Sequence, residues 1–317
     1  MAAVALSYRN MQMTTLRIGT RGSPLALAQA HETRDRLVAA HGLDPQAIEI
    51  VKIVTTGDRI TDRPLADIGG KGLFTKEIEE ALHAGTIDIA VHSMKDMPAI
   101  VPAGLDFAAI LPREDARDAF ISLSAKNLQS LPREAKLGSS SVRRNAQALR
   151  LRPDLVSVQF RGNVDTRLRK LNEGVADATF LACAGLNRLG LSRHITTIMS
   201  MDEMLPAVAQ GAIGIEIKAD NNLMRGLLEA INHADSWSAI QCERAFLAVL
   251  EGSCRTPIAG HAVVSGNNVE FRGHALTLDG TAVFEHSANS AKEDAIAMGR
   301  EAGERVKQSG GDKLRYA

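Results

Sequence analysis

The chain has 317 residues, 45% of them hydrophobic, and its 37 lysines and arginines are balanced by 37 aspartates and glutamates. That length accommodates two or three domains with their own cores, while the balanced charge excludes a whole-molecule field that would attract nucleic acid or an anionic membrane. Aromatic residues are 3% of the chain, too sparse for base-stacking platforms, and three cysteines without a pairing pattern, Cys183, Cys242 and Cys254, argue against a disulfide framework and for a reducing compartment.

Residues 1–14 hold no apolar run followed by a small-residue cleavage site, so neither a secretory signal nor a membrane span is expected and a cytoplasmic location is; Met11 and Met13 are alternative starts. Leu16 to Thr20 alternates like a half-buried strand, and Ser23 and Pro24 then open a helical pattern through Leu25, Leu27, Ala30, Leu37 and Val38. Ser23 reads as a helix cap. With Arg21 beside a helix start rich in unpaired N–H groups, the same stretch also reads as a carboxylate or phosphate site. A strand over Ile48 to Val54 leads to Gly69-Gly70-Lys71-Gly72, expected to be a mobile loop; Gly72 follows the lysine where a P-loop needs serine or threonine, so no nucleotide is expected. A helix over Thr75 to Ala84 follows, with Phe74, Ile78 and Leu82 on one face.

Ile87 to Val91 reads as a buried strand of a parallel sheet, with Ser93, Lys95 and Asp96 at its carboxyl end, the edge where open α/β sheets bind ligands. Beside Lys95, Asp96 has the chemistry of a general acid or base, of a group that stabilises a cation, or of one half of a surface ion pair before Pro98.

The pattern begins again after Pro112. A strand over Ala119 to Leu123 is followed by Leu137-Gly138, which leads to Ser139-Ser140-Ser141-Val142-Arg143-Arg144 and a helix to Leu151 stopped by Pro153. Two arginines in a first helical turn oppose the helix dipole unless an anion is near, and that conflict points to function. Val156, Val158 and Phe160 alternate as a strand, and Arg161 to Arg167 again places basic residues at a strand end and helix start. Ala178 to Ala182 is a further strand, with Cys183 packed after it; residues 205–218 give a glycine-punctuated strand that returns to the first sheet. Helices over Leu223 to Ile231 and Trp237 to Leu250 follow, the second with Cys242 in the core. Beyond Ile258 the texture changes to hairpins, with Ser265-Gly266-Asn267-Asn268 and Asp279-Gly280 as turns, and ends in a helix over Glu293 to Lys307. The fold expected is α/β: one doubly wound domain over 15–112 plus 212–231, a second over 113–211, and a small α+β domain over 232–317.

Cys254 lies in a short loop between Gly252, which ends a helix, and Pro257, which blocks its renewal. It reads either as a small residue packed under the loop or as a reactive thiol, with Arg255 favouring the thiolate. No HExxH, CxxC or Gly-x-Ser-x-Gly pattern occurs, which leaves a metal site and a serine hydrolase without support. Seven cationic groups stand near strand ends and helix starts: Arg21, Lys71, Lys95, Arg143, Arg144, Arg161 and Arg167. They suit a ligand with several carboxylates.

The sequence resembles the porphobilinogen deaminase family from about Leu16 to the final helix. The motifs that carry the resemblance are Arg-Gly-Ser-Pro-Leu-Ala-Leu-Ala-Gln (21–29), Gly-Gly-Lys-Gly-Leu-Phe (69–74), Asp-Ile-Ala-Val-His-Ser-Met-Lys-Asp (88–96), Ser-Ser-Val-Arg-Arg (140–144), Arg-Gly-Asn-Val-Asp-Thr-Arg-Leu (161–168), Leu-Pro-Ala-Val-Ala-Gln-Gly-Ala-Ile-Gly-Ile-Glu (205–216) and the cysteine loop. The resemblance implies two domains like a two-lobed periplasmic binding protein plus a third that carries a dipyrromethane cofactor on Cys254 as a thioether. It implies head-to-tail condensation of four porphobilinogen molecules with release of ammonia, followed by hydrolysis that frees the linear tetrapyrrole. Asp96 matches the family's catalytic aspartate, which helps expel the aminomethyl group and stabilises the resulting azafulvenium cation. Lys95, Ser141, Arg143 and Arg144 match cofactor-binding positions, Arg21, Ser23, Arg161 and Arg167 match substrate-binding positions, and Lys71 matches a mobile loop. A monomer without metal, nucleic acid or membrane partner is implied. A two-lobed anion-binding protein without chemistry would also explain the arginines, and would leave Cys254 and Asp96 without a role.

Overall fold

The computed structural model describes residues 15–59, 72–250 and 256–314. In chain order they begin with β1 (Leu16–Arg21), α1 (Pro24–His41), β2 (Ile48–Ile53), a single helical turn at Thr56–Arg59, α2 (Lys76–Ala84), β3 (Ile89–Ser93) and β4 (Leu105–Ile110). Then come β5 (Asp118–Ser122), β6 (Lys136–Gly138), α3 (Val142–Leu151), β7 (Val156–Val158), α4 (Val164–Asn172), β8 (Ala178–Ala182), α5 (Cys183–Arg188) and β9 (Thr197–Ile198). The remainder is β10 (Ile213–Lys218), α6 (Asn222–Leu228), α7 (Ala234–Val249), β11 (Ile258–Ser265), β12 (Asn268–Leu276), β13 (Val283–Ala291) and α8 (Ala295–Gly310). These elements divide into two compact units, 15–59 with 72–113 and 212–237, and 114–211 with 238–250 and 256–314.

The first unit is a five-stranded sheet in the order β2-β1-β3-β10-β4. β1 runs parallel to β2 and β3, whereas β10 is antiparallel to β3 and β4, so the sheet is mixed. Leu16, Ile18, Ile89, Val91, Ile213, Ile215 and Ile217 form its buried layer together with Ala30 and Leu37 of α1. Each fully buried Leu or Ile contributes about 1.5–3 kcal/mol, against about 0–1 kcal/mol for an exposed ion pair, so this layer rather than the surface charge holds the sheet. α1 begins at the Ser23 cap with Pro24 in its first turn and ends at Gly42, whose φ of 62° closes the helix.

Two expectations of local structure change here. The strand expected over 205–218 spans only Ile213–Lys218, because Pro206 has no N–H to offer a ladder and Ala209 and Gly211 adopt φ of 61° and 89°. β4 has no counterpart in the expected pattern: apolar Ala108 and Ile110 blur the alternation of Leu105, Phe107 and Ala109.

The second unit contains a five-stranded sheet, β7-β6-β8-β5-β9, in which β6 is parallel to β7 and β8 and β5 is antiparallel to β8. Phe120 and Phe180 meet edge to face at its centre, with ring centroids 5.8 Å apart. A small C-terminal domain follows, an antiparallel sheet β11-β12-β13 backed by α8. Gly299 and Gly303 let α8 lie directly on the α7 backbone at Cys242 and Phe246, where a Cβ on either glycine would clash. No helix of the described residues is long and apolar enough to cross a membrane.

Candidate functional site

In the first unit, β1 delivers Arg21 to the start of α1. Its guanidinium is held by Asp58, with Nε 3.2 Å from Oδ1, and lies 4.1 Å from the centroid of the Phe74 ring. Burial alone would push the Asp58 carboxyl up, but Arg21 and the Thr55 hydroxyl outweigh it and hold it below the usual carboxylate range. The Ser23 hydroxyl accepts from the Ala26 N–H at 3.3 Å and still has its own proton to donate. At the end of β3 the 3₁₀ turn Met94–Asp96 leaves the Lys95 and Asp96 side chains exposed at the carboxyl end of a central strand.

In the second unit, Ser141 caps α3 by accepting from the Arg144 N–H at 3.4 Å, and the Ser139 hydroxyl accepts from the Ser141 N–H at 3.1 Å. The anion demanded by two arginines in this first turn is Asp118, at the start of β5. Arg143 Nη2 lies 2.8 Å from one of its oxygens and Arg144 Nη2 2.6 Å from the other. Gln210 Nε2 donates to the same carboxylate at 3.0 Å. Asp118 is fully buried, and Arg143 and Arg144 are only 5% and 6% exposed. Burial would raise the Asp118 carboxyl, yet the two guanidiniums more than reverse this and hold it well below its ordinary value. The Nη1 of each arginine also reaches main chain: Arg143 to the Leu205 carbonyl at 2.7 Å and Arg144 to the Phe180 carbonyl at 2.9 Å. The arginine pair is thus part of the lobe's framework as well as a source of positive potential behind Ser141.

Arg161 and Arg167 flank the cap of α4, where Asn163 accepts from the Thr166 N–H at 2.8 Å. Arg167 Nε donates to the Gly162 carbonyl at 2.8 Å. Arg161 Nη1 is buried with no hydrogen-bond partner among the described residues, which leaves a donor to offer an anion. Lys71 and Cys254 lie outside the described residues. Cys183 and Cys242 are buried free thiols, both pushed up to about 12 by burial first, so neither offers a ready thiolate. Among the described residues no group of three or more His, Cys, Asp or Glu side chains could hold a metal ion.

Asp58, Phe74 and Asp118 have no place among the expected site residues. The arginine pair against the dipole is a signal that some anion is near, but nothing in the sequence separates an internal carboxylate from a ligand's.

The chain matches the family model for the porphobilinogen deaminase dipyrromethane cofactor binding domain over residues 16–226 and that for the porphobilinogen deaminase C-terminal domain over 237–308. It is 55% identical to the porphobilinogen deaminase of Nitrobacter winogradskyi over 297 residues, 94% of each chain. It is 54% identical to that of Nitrobacter hamburgensis over the same share of each. Among solved structures, the periplasmic VFT2 domain of Bordetella pertussis BvgS is similar at 15% identity with a TM-score of 0.40, covering 72% of this chain and 91% of that one. The two family models and the identity across nearly the whole chain agree with the motifs at the strand ends: the chain belongs to the porphobilinogen deaminase family.

Proposed function

We propose that this chain is a hydroxymethylbilane synthase: it condenses four molecules of porphobilinogen head to tail, with one water, into hydroxymethylbilane and four molecules of ammonia. The observation that carries the reading is 55% identity to a porphobilinogen deaminase across 94% of both chains. The transferase belongs to tetrapyrrole biosynthesis, and its cofactor is dipyrromethane.

A dipyrromethane bears acetate and propionate carboxylates, and the residues at hand suit them. Lys95 is exposed, Ser141 keeps a hydroxyl proton to donate, and Arg161 Nη1 is a buried donor with no acceptor among the described residues. We assign Lys95, Ser141, Arg143 and Arg144 to the cofactor, with the two arginines acting chiefly through the potential they add behind Ser141, and Cys254 as the thiol that carries it in a thioether. Arg21, Ser23, Arg161 and Arg167 are assigned to substrate carboxylates, and Lys71 to a loop that covers the ligand. When bound, the cofactor supplies the nucleophilic pyrrole carbon from which the chain grows.

Asp96 is assigned the chemical step. Exposed on the turn after β3, its carboxylate assists departure of the amino group of the substrate's aminomethyl arm as ammonia, the methylene staying on the ring, and faces the positive charge that develops on the pyrrole, so its interaction is stronger in the transition state than in the ground state. The enzyme acts as a cytoplasmic monomer. Intact-protein mass spectrometry tests the reading: the purified chain is expected to carry a dipyrrole-sized adduct that grows in steps of one pyrrole unit with porphobilinogen. A chain with no adduct, gaining none on incubation with porphobilinogen, would overturn it.

A further inference from the structure

The turn that presents Lys95 and Asp96 is held from both faces of β3. On one face the Ser93 hydroxyl lies 2.8 Å from the Gln29 amide nitrogen and 3.0 Å from its oxygen. On the other, His92 Nε2 is 3.0 Å from Glu216 Oε2 of β10. In the antiparallel register His92 stands opposite Gly214 and Ala90 opposite Glu216, which puts the two side chains on one sheet face as diagonal neighbours. The next residue but one, Met94, donates its N–H to the Ala212 carbonyl at 3.0 Å and lays its side chain over Gly214, where a Cβ would collide with it. A shift of His92 therefore moves the turn directly.

The His92–Glu216 pair is dry. His92 is 6% exposed and Glu216 is fully buried, its Oε1 lacking a partner among the described residues. α2 packs on β3 and β10 and brings a second carboxyl, Glu79, whose Oε1 is likewise buried without a partner among them. The titratable groups that face Glu79 are Glu216 from β10, His92 from β3 and His83 from its own helix; Lys218, two residues beyond Glu216, reaches the end of α2 near Gly85. Glu79 is half-buried, but its Oε1 and Glu216 Oε1 are both buried without a partner among the described residues, and two ionised carboxylates beside one imidazole repel each other. A proton on Glu79 relieves that repulsion. Burial pushes the Glu79 carboxyl up and the Glu216 carboxylate adds to this, against Thr75, His92 and His83.

We propose that His92, Glu216 and Glu79 act as one positioning unit for the turn that presents Lys95 and Asp96, so that the proton on Glu79 governs how well Asp96 is placed. The proposal rests on the catalytic assignment of Asp96. Because Glu79 is raised in the folded state, the unit is intact at low pH and loosens as pH climbs from the ordinary value of 4.5 through the raised one.

The test compares kcat and KM of cofactor-loaded wild type, Glu79→Gln and Glu216→Gln from about pH 5 to about pH 9, with adduct mass and far-UV circular dichroism recorded for each. Glutamine mimics the protonated carboxyl, so the ratio of kcat for Glu79→Gln to that of wild type is expected to rise severalfold with pH and then level. Glu216→Gln is expected to lower kcat by about tenfold to a hundredfold with little change in KM, the mark of a displaced reacting group. A ratio that stays flat across the range overturns the proposal, as does a Glu79→Gln chain that fails to fold, and both outcomes are decisive whether or not Glu216→Gln folds. Wild-type protein that carries an adduct yet makes no tetrapyrrole would instead fail the reading of function.

Discussion

Arg144 grips Asp118 with two nitrogens, Nε at 3.1 Å and Nη2 at 2.6 Å, while Arg143 closes on the other carboxylate oxygen. The helix start that carries two positive side chains against its own dipole is thus partly balanced from inside the lobe by one carboxylate, and keeps a net positive charge.

Replacing Asp118 by Asn leaves two buried guanidiniums facing a neutral amide. Losing one member of a buried ion group costs about 3–5 kcal/mol, and urea unfolding at neutral pH is expected to show a loss of that size. The pH dependence has a definite sign. A carboxyl depressed in the folded state contributes stability above its ordinary value of 3.8 and loses it as pH falls below that. Wild type is therefore expected to weaken on acidification below about pH 4 more steeply than Asp118→Asn; equal slopes would show that Asp118 is not the group responsible.

The thiols separate by burial. Cys183 is 1% exposed and Cys242 0%, and both are raised to about 12, so iodoacetamide at mildly alkaline pH is expected to leave them unmodified in the folded protein and to label both in denaturant. Peptide mapping after alkylation reads this directly. Label on Cys242 in native protein would contradict the packing of α7.

How much of this is legible in the sequence depends on how local the cause is. Ser23 caps α1 within three residues of the N–H it accepts from, so residue type and position reveal it without tertiary knowledge, and Ser141 and Asn163 cap α3 and α4 through the same local contact. The strand that leads to Asp96 is equally plain, because an apolar run ending in a polar cluster has few other readings. Asp118 is not legible: it lies 26 positions before Arg144, and a lone carboxylate at a strand start carries no periodic signal. The same holds for Asp58, which meets Arg21 across 37 positions. His92 and Glu216 are 124 positions apart and join only because β10 returns antiparallel beside β3. Burial of polar side chains, a tertiary property, is what decides each of these.

Gly162 separates Arg161 from the cap of α4 at a φ of 128°, and a Cβ there would strike the Thr166 side chain. Gly162→Ala is expected to destabilise the fold by about 1–3 kcal/mol and to tilt Arg161 away from its place. If Arg161 binds a substrate carboxylate, KM for porphobilinogen rises more than kcat falls. A variant with the expected loss of stability but unchanged KM would remove Arg161 from the binding set.

Asp96→Asn tests the chemical role proposed for Asp96 apart from any structural one. The Asp96 side chain is exposed, so the substitution leaves no buried group orphaned and is expected to change the unfolding midpoint within measurement error. The neutral amide can still accept a hydrogen bond but brings no negative charge to the cation that develops as ammonia departs. Losing one such interaction costs on the order of a hundredfold or more in kcat. Porphobilinogen consumption under single-turnover conditions measures the step without interference from product release, and mass spectrometry shows whether the cofactor adduct persists. Retained adduct, intact fold and a collapse of the single-turnover rate are the expected combination. Wild-type rates in this variant would instead require some other group to balance the developing charge, and would withdraw the purpose for which the turn after β3 is held so firmly.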